Sequence, residues 1–134
     1  MSDLVLDASA AVDATLASDG FRMYSEHTLH APDLLWWEVN SVIREHVWRG
    51  DVPAAAAEEA MQRLHAQQIH QLLPTADLLR AATSAAERLG WAKVYDAVYL
   101  AVALAIPGSR LVTRDARLQR GALRLVEIIA PADI

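Results

Sequence analysis

Two kinds of apolar pattern share this chain: short unbroken runs that end at a polar residue, and longer stretches in which apolar positions return at helical spacing. Leu4-Val5-Leu6, closed by Asp7, is of the first kind and reads as a buried strand. Ala8 to Ala17 then reads as a helix started by Asp7 or Ser9 and broken by Asp19-Gly20. A second short helix is predicted from Phe21 to about His27. A brief extended piece, Leu29 to Ala31, follows and ends at Pro32, because proline disfavours helix in the residue before it. From Asp33 to Arg49 the positions Leu35, Val39, Val42, Ile43 and His46 follow the i, i+3, i+4, i+7 rule, with Gly50 as the stop and Glu38 on the same stripe.

Asp51 is predicted to cap the next helix, with Pro53 in its first turn and the helix-forming run Ala54 to Ala57 behind it. Ile69 to Leu73 reads as a strand. Pro74-Thr75 opens a helix from Ala76 to Leu89 closed by Gly90, and Val94 to Ala105 is a buried helix ended by Pro107-Gly108. Arg110 to Thr113 is a strand, Ala116 to Arg120 a short helix, and Leu125 to Ile129 the last strand. Strands alternating with helices imply a parallel sheet covered on both faces.

A length of 134 residues suits one domain, 1–134, with a hydrophobic core of its own. The chain has no cysteine, which removes disulfides and thiolate metal ligands and is compatible with a reducing, cytoplasmic setting. The start of the chain lacks the basic-then-apolar layout of a secretory signal. The longest apolar run, Ala97 to Pro107, is too short for a membrane span, so a soluble protein with no membrane partner is expected. A net charge of −5 argues mildly against a general electrostatic grip on nucleic acid. The distribution qualifies that: Arg110, Arg114, Arg117, Arg120 and Arg124 stand in one stretch with Asp115 as its only acid. Such a stretch is either a solvated helix face or a surface that faces RNA phosphates.

Four acids stand where a soluble fold must account for them. Asp7 and Asp115 fall just past strand-like runs, where open α/β sheets place ligands. Glu38 and Asp96 interrupt helical stretches rich in aromatic and aliphatic residues. Asp7, Asp96 and Asp115 each precede a helix and are also explicable as N-caps. Glu38 lies inside its helix, so its alternative is a glutamate at the edge of the core or paired with an arginine. Carboxylates converging without cysteine or a paired-histidine motif favour a hard cation, Mg²⁺ or Mn²⁺, and hence metal-dependent phosphodiester chemistry. Ser9 and Thr113 are placed to orient such carboxylates by hydrogen bonding.

Together LVLDASA, the stretch Pro32 to Glu38 in APDLLWWEVN, YDAVYLAVA around Asp96 and LVTRDARL around Asp115 resemble the PIN-domain nucleases, specifically the VapC-like toxins of type II toxin–antitoxin pairs. The resemblance spans essentially the whole chain. It implies a three-layer α/β/α fold with a central parallel five-stranded sheet, order 3-2-1-4-5, and the acidic site at the strand C-terminal ends. It implies that Asp7, Glu38, Asp96 and Asp115 bind Mg²⁺ or Mn²⁺ and carry catalysis, with Thr113 as the threonine of a T-x-D motif and Ser9 as the small polar residue after the first aspartate. Where some relatives carry a further acid beyond the fourth aspartate, this chain has Ala116 and Arg117, which argues against tight binding of a second cation.

The expected activity is endoribonucleolytic hydrolysis of RNA by a metal-activated water, in a toxin restrained by a cognate antitoxin protein and built as a homodimer. Arg114 and Arg117 are candidate RNA contacts. The alternative is a non-catalytic PIN-fold module that binds a protein partner through the acidic groove. None of the five histidines stands in a metal-binding spacing. Trp36-Trp37 could stack bases, as aromatics do in single-strand binders, but one is expected to pack in the core and the other to cover an interface, since neighbours on a helix point in different directions. Trp91 reads as a packing residue before Asp96.

Overall fold

A computed structural model describes residues 2–134. Five strands, β1 (Asp3–Leu6), β2 (Thr28–Pro32), β3 (Ile69–Leu72), β4 (Arg110–Val112) and β5 (Glu127–Ile129), form one parallel sheet in the order β3-β2-β1-β4-β5. Among the described residues six α-helices connect them: α1 (Ala8–Leu16), α2 (Leu34–Trp48), α3 (Ala54–His65), α4 (Ala76–Leu89), α5 (Tyr95–Ala105) and α6 (Ala116–Ala122). α1, α2 and α3 pack on one another, while α4 packs on α5, which lies against β1, β2 and β4. The expected three-layer α/β/α fold and strand order are therefore present.

Burial follows position in the sheet. In the central strand Leu4, Val5 and Leu6 have no exposed surface, and α5 buries Ala97, Tyr99, Leu100, Ala101, Val102 and Ala103. At the edge, β3 keeps His70 and Gln71 exposed. α5 carries apolar residues on nearly every side because it spans the middle of the sheet. Among the described residues no helix is long and apolar enough to cross a membrane.

Local chemistry explains the helix ends. The Thr75 side chain accepts from the Leu78 N–H to open α4, and Gly90, at φ 70°, closes it in a left-handed conformation that glycine adopts without strain. Two expectations need correction. The predicted helix from Phe21 to His27 is a single 3₁₀ turn, Arg22–Tyr24, flanked by tight turns. Its N–H groups reach back three residues, Tyr24 to Phe21 and His27 to Tyr24, because Phe21 and Tyr24 both bury while the chain reverses towards β2. Asp51 does not cap α3: Pro53 occupies the N-cap position, and the Asp51 carboxylate accepts instead from Arg49 Nε at 3.2 Å.

Gly20 permits the close approach that starts this reversal. A Cβ there would lie 2.2 Å from the Ala14 carbonyl oxygen, a main-chain atom of α1 that cannot swing aside. Gly20→Ala is expected to destabilise the protein by about 1–3 kcal/mol, read as a lower urea midpoint at unchanged slope.

Candidate active site

The strand order reverses at β1, whose neighbours are β2 on one side and β4 on the other. A crevice opens beyond the C-terminal ends of strands at such a point. Asp7 leaves β1 there, tied to β4 by its N–H on the Val112 carbonyl at 3.1 Å. Thr113 to Asp115 leave β4 beside it.

Asp7 is nearly buried and its carboxylate is fully engaged. Oδ1 accepts from Ser9 Oγ at 2.7 Å and from the Ala10 N–H at 3.0 Å, and Oδ2 accepts from Thr113 Oγ1. Asp7 is thus both the cap of α1 and the floor of the crevice. The two hydroxyls that orient it are themselves held by the next loop: Thr113 Oγ1 accepts from the Asp115 N–H at 2.9 Å, and Ser9 Oγ from the Arg114 N–H at 3.0 Å. Each hydroxyl therefore takes a backbone proton and gives its own to Asp7, which fixes Asp7 against Asp115. Asp115 caps α6 in turn, with Oδ1 accepting from the N–H groups of Arg117 at 2.8 Å and Leu118 at 3.2 Å.

Glu38 is half-buried on α2, and its Oε1 accepts from the Tyr99 hydroxyl at 3.0 Å. That partner replaces the arginine considered above. Asp96 is not a cap: Val94 holds that position in α5, and Asp96 stands in the first turn with Oδ2 2.8 Å from Arg117 Nη2. The Arg117 guanidinium also lies 4.6 Å from the centre of the Trp91 ring, which gives Trp91 more than a packing role. Arg114 pairs with Asp13 on α1.

All four sequence-predicted acids line one cavity of about 370 Å³, together with Ser9, Asp13, Tyr99 and Arg114. Burial, and then the like charge of Asp115, raise the Asp7 pKa against the pull of its three hydrogen bonds. Burial also raises the Glu38 pKa, opposed by Tyr99 and reinforced by Asp96 and Asp7. Tyr99, buried beside Glu38, is pushed well above the ordinary tyrosine value. Among the described residues no three Asp, Glu, His or Cys side chains are gathered closely enough to hold a metal ion as they stand. As they stand, Asp7 accepts from three donors, Glu38 from Tyr99 and Asp96 from Arg117. The oxygens that line the cavity are nevertheless of the kind a hard cation takes, all carboxylate, with two of the pKa values raised mainly by burial and secondarily by like charge.

Sequence reasoning passed over Tyr99 and Asp13. Both carried a signal, since Tyr99 stands three residues after Asp96 in one helix and Asp13 four after Ser9 in another, spacings that share a face.

A parallel sheet with this strand order and an acidic crevice at its reversal point define the class, and the chain belongs to the PIN-domain family, whose pattern matches residues 4–123. No curated protein matches it in sequence. Its fold is similar to the crystal structure of PAE2754 from Pyrobaculum aerophilum, with a TM-score of 0.72 at 24% identity over 98% of this chain and 93% of that one. It is also similar to a toxin–antitoxin complex from Klebsiella pneumoniae, with a TM-score of 0.66 at 14% identity over 98% of this chain and 99% of that one. At these identities the likeness is one of fold.

Proposed function

We propose that the chain is a single metal-dependent endoribonuclease domain that uses Mg²⁺ or Mn²⁺, and that it is the VapC-like toxin of a type II toxin–antitoxin pair. The observation that carries this reading is the convergence of Asp7, Glu38, Asp96 and Asp115, from four separate segments, on one cavity at the sheet's reversal point. Asp7, Asp96 and Asp115 would hold the cation. When bound, the cation lowers the pKa of a water and offsets charge on the phosphoryl oxygens. Ser9 and Thr113 keep Asp7 from turning, so its charge stays aimed at the crevice. Tyr99 fixes Glu38 through Oε1 and leaves Oε2 to orient the attacking water and take its proton, a task suited by the raised proton affinity of this side chain. Arg114, on the cavity wall, and Arg117 offset the repulsion between four acids and an RNA phosphate.

The antitoxin is the proposed protein partner, supported by the shared fold with a chain of the Klebsiella complex. A homodimer is supported by large apolar side chains left in water, Trp37 at 73% and Trp48 at 77% exposure on α2. Trp36, by contrast, is part-buried and stacks on His65. A second reading, the non-catalytic binding module, is favoured by one feature, the guanidinium seated on Asp96. RNA cleavage decides between them. The purified protein is expected to cut RNA only with added Mg²⁺ or Mn²⁺ and to stop on EDTA treatment. Cleavage at full rate in metal-free buffer would overturn the metal site, and no cleavage of total cellular RNA under any divalent ion would leave the binding module.

A further inference from the structure

Arg117 is built into the site more firmly than an exposed arginine needs to be. It stands on the first turn of α6, with Asp115 as the cap of that helix, and its guanidinium reaches Asp96 on α5 at 2.8 Å. Trp91 lies under it, ring centre to guanidinium 4.6 Å. The indole is located in turn by Gly121, four residues further along α6, where an added Cβ would meet the ring edge at 3.3 Å. Positions 117 and 121 share a helix face, so α6 holds the indole and the indole backs the guanidinium. An isolated surface ion pair is worth little because both side chains must be ordered to make it. Here the aromatic face orders the arginine beforehand and adds its own attraction for a cation.

A positive group held on one of the four carboxylates has a chemical consequence. In the cation-free protein it is the counter-charge of Asp96. A divalent ion that takes Oδ2 of Asp96 must displace it, and one on Oδ1 meets its charge. We propose that Arg117 is a resident counter-cation of this site, held on Trp91 and paired with Asp96 until a divalent ion claims the carboxylate, so that it sets the ion concentration at which the site fills. This rests on the reading of Asp96 as a metal ligand. It gives Arg117 a positioning role rather than a catalytic one, and it gives Trp91 a reason to sit where it does.

The test is calorimetric titration of Mn²⁺ into the parent, Arg117→Ala and Arg117→Lys proteins in the absence of RNA. A unit positive charge within a few ångströms of a divalent ion in a water-like medium opposes binding by roughly tenfold or more in affinity. Arg117→Ala is therefore expected to bind Mn²⁺ about tenfold more tightly than the parent, and Arg117→Lys, which keeps the charge, to stay within about threefold of it. Trp91→Leu, which removes the aromatic support but no charge, is expected to fall between parent and Arg117→Ala. Circular dichroism establishes that each variant is folded. Equal Mn²⁺ affinity in the parent and Arg117→Ala overturns the counter-cation. Weaker binding in Arg117→Ala overturns it as well, since the arginine would then be supporting the site. If none of the proteins binds Mn²⁺ but all are folded, the metal-site reading fails, a result distinct from equal binding.

Discussion

Asparagine in place of Asp96 is expected to reduce RNA cleavage by about a hundredfold or more while leaving the protein folded. Changes to the groups that merely orient metal ligands typically cost about 10–100-fold, and a ligand's own charge should cost at least as much. Among the four acids Asp96 is the cleanest probe. Asp7 accepts three hydrogen bonds, and an amide there would turn an NH₂ towards at least one donor. Asp115 holds the cap of α6. Asp96 caps nothing; it is partly exposed, and its hydrogen bond in the structure is to Arg117. Loss of such an exposed pair costs no more than about 1 kcal/mol. Cleavage of labelled RNA, measured beside circular dichroism and a thermal melt, checks the result. A folded variant that cuts at the parent's rate would remove Asp96 from the site.

The second large effect is expected in the response of stability to Mg²⁺. A cation that binds the folded protein alone stabilises it by about 2.7 kcal/mol at a hundredfold excess over Kd, worth several degrees in Tm. Glu38→Gln keeps an acceptor for the Tyr99 hydroxyl, so the hydrogen bond at Oε1 survives while the charge goes. Its Mg²⁺-dependent rise is expected to be about half the parent's or less, its cleavage reduced, and its metal-free Tm equal to or above the parent's.

The pH dependence sharpens this. Burial, together with like charge, raises the Asp7 and Glu38 pKa values, so the folded protein binds these protons more tightly than the unfolded chain does. The stability this contributes is complete below the ordinary carboxylate range and is lost as pH rises through the raised values. Metal-free parent protein should therefore melt lower as the pH climbs from the ordinary carboxylate range towards neutrality, and Glu38→Gln should lose less over the same window. Added Mg²⁺ should flatten the parent's curve. Melting curves across pH with and without Mg²⁺ decide, and an unaltered Mg²⁺ response in Glu38→Gln would place Glu38 outside the site.

Much of the architecture was already written in local pattern. The helix between Thr75 and Gly90 was readable to the residue because each end depends on chemistry within three residues of itself: a threonine that caps and a glycine that takes positive φ. The α2 stripe of Leu35, Val39 and Ile43 was readable because burial on one side of a helix imposes a period of its own. Asp7 at the end of an apolar run announced a strand end and a cap together. Where local signals competed, the reading slipped. Asp51 looks like a cap in sequence, yet Arg49 and His46 bind its carboxylate. Phe21 to His27 has the composition of a helix, but burying Phe21 and Tyr24 while the chain reverses required tight turns.

By itself, then, the sequence determined where the five strands and six α-helices fall, apart from the turn at Arg22–Tyr24 and residues at some element ends, and which acids stand at strand ends or inside helices, because those facts depend on neighbours a few positions away. Only the tertiary structure decided what those acids meet. Thr113 reaches Asp7 across 106 positions, Tyr99 reaches Glu38 across 61, and Arg117 reaches Asp96 across 21. Such partners are chosen by strand order and helix packing, and a hydrogen bond or ion pair forms only where folding has brought donor and acceptor within about 3 Å. The four carboxylates were visible one at a time along the chain; their shared cavity, and the Arg117 guanidinium paired with Asp96 beside it, exist only once β1 and β4 lie side by side with α2 and α5 packed around them.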